Sequence, residues 1–382
     1  MAIDRIPLSD FVTLQRGYDL PSQDRKPGKF PVVAANGVVG HHAEYKVSAP
    51  GVVLGRSGTI GNARLVTEPF WALNTTLFVK DFKGNLPLFV YYVLKGIDFK
   101  SFDAGGTVPT LNRNHITNVM VPRFDLAQQS AIAQFLDSID RLILVNNNLS
   151  KTLESVAQTL FRSWFVDFDP VRAKMAGEKP AGMGDATASL FPDSMEDSEL
   201  GKIPAGWEIE TVGKFIPFRY GKSLTASARR SGEVRVYGSN GIVGAHDEAM
   251  ETVPAVVVGR KGTVGSVNLS LDPSWVIDTA FLCQTVDPED LLLGYFSLKQ
   301  LGLENMNSDA AVPGLNRENA HRLFINVGRS EIRRRFGEMS NPLFQEIAAL
   351  ESQSATLKSL RDALLPRLIS GELEVPEDLL VS

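Results

Sequence analysis

The 382-residue sequence contains a single cysteine and no long uninterrupted apolar run. One cysteine excludes an intramolecular disulfide, and the apolar neighbours of Cys283 predict a buried, unreactive thiol in a reducing compartment. No stretch approaches the roughly 18 apolar residues needed to cross a bilayer, and the start of the chain lacks a signal-peptide pattern. We therefore expect a cytoplasmic protein.

The sequence also lacks the motifs of common catalytic sites. Gly221-Lys-Ser223 ends like a phosphate-binding loop, but Ile216 stands where that loop needs a glycine. Asn341-Pro-Leu-Phe344 has a leucine in place of the second proline of the amino-methyltransferase motif Asn-Pro-Pro-aromatic, and it lies within a helical pattern. The five histidines and the cysteine show no metal-ligand spacing. We expect no catalytic residue, metal or cofactor in this chain.

Positive charge is scarce overall, since the net charge is -5. Residues 176–200 contribute -5 and residues 371–382 contribute -4, so the rest of the chain carries +4. Because phosphate neutralisation requires Lys and Arg, this balance permits DNA binding without demanding it.

What the sequence does contain is an internal repeat with a constant offset of 204 residues. Asn36-Gly-Val-Val-Gly40 recurs as Asn240-Gly-Ile-Val-Gly244, and the loop Gly55-Arg-Ser-Gly-Thr-Ile-Gly61 recurs as Gly259-Arg-Lys-Gly-Thr-Val-Gly265. Trp71 matches Trp275, and Val108–Arg113 matches Val312–Arg317. An unbroken register over this distance indicates duplication.

After each copy, the short strand-like runs give way to a heptad pattern. The first helix has apolar d positions at Phe135, Leu142, Leu149 and Val156, whereas the second has Met339, Glu346, Gln353 and Leu360 at d. Asn146 and Gln353, near the middle of their helices, are candidates for a buried polar pair that fixes the register. Pro366 and Gly371 mark the end of the second helix.

These patterns predict an α+β fold with two mostly-β heads separated by two long antiparallel coiled-coil helices, arranged with pseudo-two-fold symmetry. We expect the first head over 1–122, the first helix over 123–168, a surface linker over 169–200, the second head over 201–328, the second helix over 329–371 and an acidic tail over 372–382.

The two glycine-punctuated loops are candidates for contact with DNA. Glycines allow close backbone approach, so these loops can present donors to phosphates or guanine edges. The alternative is a solvated hairpin. The loop residues concerned are Arg56, Ser57 and Thr59 in the first copy and Arg260, Lys261 and Thr263 in the second.

Other repeat positions change in hydrogen-bonding character. Asn74-Thr75 becomes Asp278-Thr279, and Thr110 becomes Gly314. Asparagine favours adenine and aspartate can accept from cytosine, so such changes suit two heads that read different sequences.

The remaining candidates have strong structural alternatives. Asn36 and Asn240 are typical of tight hairpin turns, and His42 and His246 are more often structural histidines than phosphate donors. Asn112 and Asn316 could cap short helices and place Arg113 and Arg317 near a helix N-terminus. Lys222 belongs to a basic patch that could supply affinity without sequence preference.

The duplicated heads, the two helices, the Gly-Arg-x-Gly-Thr-x-Gly loops, the segment Pro122–Asp140 and Ile203-Pro-Ala-Gly-Trp207 together resemble the specificity subunit of type I restriction-modification systems. The resemblance covers essentially the whole chain and departs from the family pattern at Val327–Ile332.

The resemblance implies that each head is a target recognition domain for half of a bipartite DNA site. It implies that the helices measure the spacer and dock two modification subunits, which bind S-adenosylmethionine and methylate adenine, while restriction subunits use ATP. Two alternatives stay open: a coiled-coil scaffold that does not bind DNA, and an atypical DNA methyltransferase that would bind S-adenosylmethionine itself.

Overall fold

The computed structural model describes residues 4–102, 110–306 and 314–375. The chain divides into a first unit, residues 1–145 with 353–382, and a second unit, residues 146–352. Both boundaries fall inside long helices, so each unit contains one head and a segment of each helix.

The head of the first unit consists of short strands with a few short helices. Its elements are β1 (Arg5–Pro7), α1 (Leu8–Phe11), β2 (Thr13–Arg16), β3 (Phe30–Ala34), β4 (Gly37–His42), β5 (Gly51–Gly55), β6 (Ala63–Val66), β7 (Trp71–Ala72), β8 (Thr76–Asp81), α2 (Pro87–Lys95), α3 (Arg113–Ile116) and β9 (Met120–Pro122), with 3-10 turns at Ser22–Asp24 and Phe99–Phe102. The helix α4 (Leu126–Phe165) follows.

After the end of α4, the second unit contains four elements without a counterpart among the described residues of the first unit: α5 (Asp169–Met175), α6 (Asp185–Ala188), β10 (Met195–Ser198) and β11 (Gly201–Pro204). Its head consists of β12 (Ile209–Thr211), α7 (Val212–Phe215), β13 (Phe218–Tyr220), β14 (Val234–Gly238), β15 (Gly241–His246), β16 (Ala255–Gly259), β17 (Val267–Ser270), β18 (Ser274–Val276), β19 (Ala280–Cys283), α8 (Leu291–Gln300), α9 (Arg317–His321) and β20 (Phe324–Asn326), with 3-10 turns at Ala226–Ala228, Pro288–Asp290 and Leu303–Asn305. The helix α10 (Ser330–Ser370) follows.

The duplication predicted from the sequence is confirmed element by element. A shift of 204 residues brings β3 onto β14, β5 onto β16 and α4 onto α10. The sheets repeat as well: the order β2-β8-β5-β6 in the first unit recurs as β13-β19-β16-β17, and β4-β3-β7 recurs as β15-β14-β18. In both three-stranded sheets the central strand pairs antiparallel with its hairpin partner and parallel with the third strand.

Each unit has its own core, built where a sheet packs on a helix. In the first unit, α2 buries Phe89, Val90 and Val93 in one cluster with Val52 and Leu54 of β5. In the second unit, Leu292 and Phe296 of α8 share a cluster with Val256 and Val258 of β16. Cys283 is fully buried there, and burial raises the pKa of its thiol well above the ordinary value, as the sequence led us to expect of an unreactive cysteine.

The two long helices run antiparallel within each unit. In the first unit, Ile132 and Leu136 near the start of α4 share a cluster with Leu365 and Leu368 near the end of α10. In the second unit, Phe165 at the end of α4 lies 5.4 Å from Phe336 near the start of α10, measured between ring centroids. The antiparallel prediction is therefore confirmed.

The heptad assignment was half wrong. Half of the predicted a positions are buried and the other half are half-buried; the buried ones are Ile132, Ile139, Asn146, Phe336 and Leu350, and the half-buried ones are Leu153, Leu160, Leu343, Leu357 and Leu364. Every predicted d position except the half-buried Phe135 is exposed; these are Leu142, Leu149, Val156, Met339, Glu346, Gln353 and Leu360. The buried stripe instead passes through the following residue, for example Ile143, Ala157, Ser340 and Ser354. Three of these are small, so their burial left no apolar signal in the sequence.

The segment 169–200 is not the predicted surface linker. Val171 and Phe191 of this segment are buried in the core of the second unit, and Phe191 meets the ring of Trp164 edge-on at 5.0 Å between ring centroids. The predicted boundary at residue 200 falls in the turn of the β10–β11 hairpin, whose strands pair from Met195 to Pro204. The few apolar residues are too widely spaced to produce a periodic pattern, which is why the sequence suggested a linker.

The end of the second helix follows the sequence in one respect. α10 ends at Ser370, and Gly371 has φ 72° as expected of a helix-terminating glycine, whereas Pro366 lies inside the helix. Within 4–102, 110–306 and 314–375, no helix is long and apolar enough to cross a membrane. Part of the acidic tail, residues 376–382, lies outside the described residues.

Candidate DNA interface

The loop between β5 and β6 is closed by its own backbone. The amide of Gly61 donates to the carbonyl of Gly55 at 3.0 Å, and Gly58 and Gly61 have φ of 83° and 76°. Only glycine adopts such angles without strain, so the conserved spacing of glycines across the two copies reflects the turn itself. Thr59 is exposed at this turn.

Two other segments attach to this loop. The amides of Arg56 and Ser57 both donate to the carbonyl of Thr75, at 2.9 and 3.1 Å. The amide of Leu111 donates to the carbonyl of Arg56 at 2.8 Å, and Ser57 forms a β-bridge with Thr110. Residues 55–61, 74–75 and 110–113 thus form one cluster of loops, which we name the first loop cluster.

The second unit repeats this arrangement. The amides of Arg260 and Lys261 donate to the carbonyl of Thr279 at 2.9 and 3.0 Å, and Lys261 forms a β-bridge with Gly314. The amide of Leu315 donates to the carbonyl of Arg260 at 2.9 Å. Residues 259–265, 278–279 and 314–317 form the second loop cluster. In both units, Val-Pro of the repeated Val-Pro-x-Leu-Asn-Arg motif, residues 108–109 and 312–313, lies outside the described residues.

Three pairs of positions that differ between the copies therefore meet on a shared backbone. They are Ser57 and Lys261, Asn74 and Asp278, and Thr110 and Gly314. The sequence identified each pair separately, and the structure brings the three positions of each copy together in one loop cluster. Such an arrangement can present a different set of donors and acceptors in each unit without altering the scaffold.

The side chains of the first loop cluster are linked to residues that sequence analysis did not select. The amide of Asn74 donates to the carboxylate of Asp19, which lies 3.7 Å from the guanidinium of Arg16. Arg56 is half-buried, and its guanidinium donates to the carbonyl of Asn74 at 3.4 Å. Thr75 accepts from the amide of Ala35 at 3.3 Å through its hydroxyl. Arg16 and Asp19 carry no motif, so only the fold reveals them.

The second loop cluster has different neighbours. The guanidinium of Arg260 donates to the carbonyl of Asp278 at 3.1 Å, and its central carbon lies 4.8 Å from the ring centroid of Tyr220. Arg317 also lies over Tyr220, at 5.1 Å, and its guanidinium donates to the carboxylate of Glu318 at 2.8 Å. Lys261, Thr263 and Asp278 are exposed. Tyr220 was likewise missed by the sequence analysis.

The hairpin turns begin at exposed asparagines, Asn36 and Asn240. The carbonyl of Asn36 accepts from the guanidinium of Arg64 at 3.0 Å, and the following glycines, Gly37 and Gly241, have φ of 128° and 90°. A structural role in the turn is therefore present at both positions, and each side chain also lies on the surface.

The two histidines are buried, which argues against direct contact with DNA. His42 accepts from the amide of Lys26 at 2.9 Å through Nδ1 and packs edge-on against Trp71, with ring centroids 5.2 Å apart. His246 repeats both contacts with Arg230 and Trp275, at 3.0 and 5.5 Å. Because their rings face the interior, we remove both histidines from the candidate contact residues.

Asn112 and Asn316 cap the short helices that follow them, as expected. Their side-chain oxygens accept from the amides of Asn114 and Asn319 at 3.0 and 3.1 Å. These helices have only four and five residues, too few for a helix dipole to hold a phosphate beside Arg113 or Arg317. Arg113 is nevertheless exposed, as is Lys222, whose carbonyl accepts from the indole of Trp275 at 3.0 Å.

The two residues suggested to fix the helix register differ in burial. Asn146 is buried, whereas Gln353 is exposed. Their contact stays a prediction.

Comparison with known proteins agrees with this architecture. Residues 4–155 match the family model described as the type I restriction modification DNA specificity domain. The chain is 24% identical over 335 residues to the Type I restriction enzyme HindI specificity subunit of Haemophilus influenzae, covering 70% of this chain and 72% of that protein. It is also 24% identical over 332 residues to the MjaIX specificity subunit of Methanocaldococcus jannaschii, covering 77% and 71%.

The fold is shared with a solved structure. The S subunit of the type I restriction-modification system from M. genitalium superimposes with a TM-score of 0.62 at 18% identity, and the match covers 96% of both chains. A duplicated α+β fold with paired long helices is thus the architecture of a known class.

The matched family model is a DNA specificity domain, and the matched proteins are specificity subunits of type I restriction enzymes. In sequence and in fold, the chain is therefore similar to the specificity subunits of type I restriction-modification systems. Neither the coiled-coil scaffold nor the atypical methyltransferase has support among these matches.

Proposed function

We propose that each unit reads one half of a bipartite, asymmetric DNA target through its loop cluster. The observation that carries this proposal is the meeting of three differing positions on one shared backbone in each unit. A shared scaffold that carries different side chains at such a surface suits two readers of different half-sites. The same backbone would present the two sets of side chains to DNA in the same way.

The chemistry of the cluster residues fits base and phosphate contacts. Arg56 and Arg260 can donate to guanine or phosphate, Asn74 can pair with adenine, and Asp278 can accept from cytosine. Lys261 adds a positive charge that Ser57 lacks. The further contact residues in this proposal are Asn36, Thr59, Thr75, Thr110, Asn112, Arg113, Lys222, Asn240, Thr263, Thr279, Asn316 and Arg317.

The long helices supply docking surfaces for the other subunits in this proposal. Two modification subunits, which carry S-adenosylmethionine, and restriction subunits, which use ATP, would assemble around this chain in the cytoplasm. The exposed apolar side chains of α4 support such docking: Leu142 and Val145 are 52% and 57% exposed, and Leu149 is 41% exposed. Large apolar side chains on one helix, left open to solvent, are typical of a protein interface.

Methylation mapping in cells that express this chain with its modification subunit tests the proposal. We expect one bipartite motif with two different halves. Arg56→Ala and Arg260→Ala should each reduce methylation at that motif by about ten-fold, because each removes a base or phosphate contact of roughly 1–3 kcal/mol. Lys80→Ala, at an exposed position outside the loop clusters, is the matched control. Normal methylation in both arginine variants would refute the loop assignment.

A further inference from the structure

The second loop cluster contains a stack of cationic and aromatic side chains that is not found among the described residues of the first loop cluster. Tyr220, at the end of β13, is 50% exposed. The guanidinium carbons of Arg260 and Arg317 lie 4.8 and 5.1 Å from its ring centroid, within the range of a cation–π interaction. Arg260 also lies 5.9 Å from the ring centroid of Phe281. Two arginines from separate loops thus meet at one tyrosine.

These contacts fix the orientation of the Arg260 side chain more firmly than is usual for a surface arginine. One of its terminal nitrogens donates to the carbonyl of Asp278, and its flat guanidinium is held against the tyrosine ring. An arginine held in this way loses less side-chain freedom when it binds. Arg317, by contrast, directs two donors at the carboxylate of Glu318, at 3.0 and 2.8 Å. Arg260 is therefore the better candidate to reach a ligand.

The first unit has the same backbone but a different chemistry. The residue equivalent to Tyr220 is Arg16, so no ring stands at this position, and Arg16 lies 3.7 Å from Asp19. Arg56, the equivalent of Arg260, keeps only the backbone part of the arrangement, the contact with the carbonyl of Asn74 at 3.4 Å. The main-chain bonds that place the two arginines are the same in both units.

We propose that Tyr220 is a specificity-determining residue, which positions Arg260 to read a guanine in the half-site of the second unit. A guanidinium can pair with O6 and N7 of guanine through two parallel hydrogen bonds, which is the commonest specific contact of arginine with DNA. The inference rests on the proposed function and adds the base that one loop cluster reads. The ring of Tyr220 does not contact the base; it holds in place the guanidinium of Arg260, which does.

The test is the methylation motif of the full chain with its modification subunit, measured over a library in which each half-site is varied. Lys261→Ser alters only the second loop cluster, so the half-site whose sequence preference changes in this variant is the one that the second unit reads. We expect a guanine there whose preference falls about ten-fold in Arg260→Ala and about three-fold in Tyr220→Ala. Tyr220→Phe, which keeps the ring, should retain the preference, and the other half-site should not change in any of these variants. Arg16→Ala, at the equivalent position, should leave the second half-site unaltered.

Three results would overturn the inference. They are a second half-site without a guanine that depends on Arg260, a full guanine preference in Tyr220→Ala, and an equal loss at both half-sites, which would indicate a general effect on affinity. A wild-type protein that directs methylation to no bipartite motif would instead refute the proposed function. The two failures are therefore distinguishable.

Discussion

The starts of the two long helices lie at equivalent positions in the two units but contact their heads through different side chains. In the first unit, buried Gln129 accepts from the amide of Leu86 at 2.9 Å and donates to Asn85 at 2.8 Å. The equivalent residue of the second unit is Arg333, which forms an ion pair of 3.1 Å with Asp290. A neutral amide and an ion pair thus join helix to head at the same position. This difference accompanies the departure from the family pattern seen at Val327–Ile332.

The cores beneath these helices differ in the same way. Phe161, Trp164 and Phe165 of the second unit correspond to Leu365, Leu368 and Ile369 of the first. The additional aromatic volume in the second unit packs against Phe191 and Trp207. The duplicated backbone therefore accommodates different side chains in the interiors of the two units. At the loop clusters, different side chains instead change the surface that each unit presents.

The largest loss of stability should come from a substitution in the aromatic core of the second unit. Trp164→Ala should destabilise the second unit by about 4 kcal/mol, because the indole is 2% exposed and its removal leaves a large cavity. Leu368→Ala, the equivalent change in the first unit, should cost about 3 kcal/mol. Urea unfolding with hydrogen exchange would assign each loss to its unit. Exposed Leu142→Ala is the control, and a loss for it as large as for Trp164 would contradict this packing.

A smaller loss of stability is expected from substitutions where the start of each long helix contacts its head. Arg333→Ala leaves the carboxylate of Asp290 buried without its cation and should destabilise the second unit by about 3 kcal/mol. Gln129→Ala removes hydrogen bonds between neutral groups and should cost the first unit about 2 kcal/mol. Free energies of unfolding of the two variants measure the contrast. Equal losses would mean that the ion pair contributes no more than the amide.

The smallest effect is a dependence on pH. Burial would raise the pKa of Asp140, but the hydrogen bond from Arg361 and the charge of Lys95, 3.2 Å away, outweigh it and hold the pKa below its ordinary value. A lowered folded-state pKa contributes stability above the unfolded pKa of about 3.9, and this contribution is lost as pH falls through the folded pKa. Asp140→Asn should therefore be less stable by about 2 kcal/mol at neutral pH. That difference should shrink in acid; a constant difference would rule out the ionised carboxylate as its source.

The repeat was the most informative part of the sequence. Gly-Arg-x-Gly-Thr-x-Gly and the matching Asn-Gly turns predicted both heads, and their constant spacing predicted that the heads share one fold. Periodicity also predicted two long helices, but it favoured Leu142 and Leu149 as buried because they are apolar. Burial of small residues such as Ser340 and Ser354 depends on close packing, which composition does not encode.

Part of the candidate site could also be predicted from single positions. Ser57, Asn74 and Thr110 were selected separately, each by its residue type and its changed counterpart. Their convergence could not be predicted, because it depends on backbone bonds between distant loops. Tyr220 could not be predicted for the same reason, since in the sequence it is an ordinary strand residue and only the fold brings Arg260 and Arg317 beside it.

An exchange of the differing positions tests whether the loop clusters read the two half-sites. The triple variant Ser57→Lys, Asn74→Asp, Thr110→Gly gives the first loop cluster the residues of the second, and methylation mapping would then read both half-sites. We expect the first half-site to change its sequence while the second half-site and the spacer between the two halves stay the same. An unaltered first half-site, in a variant that folds and directs methylation normally, would contradict the account.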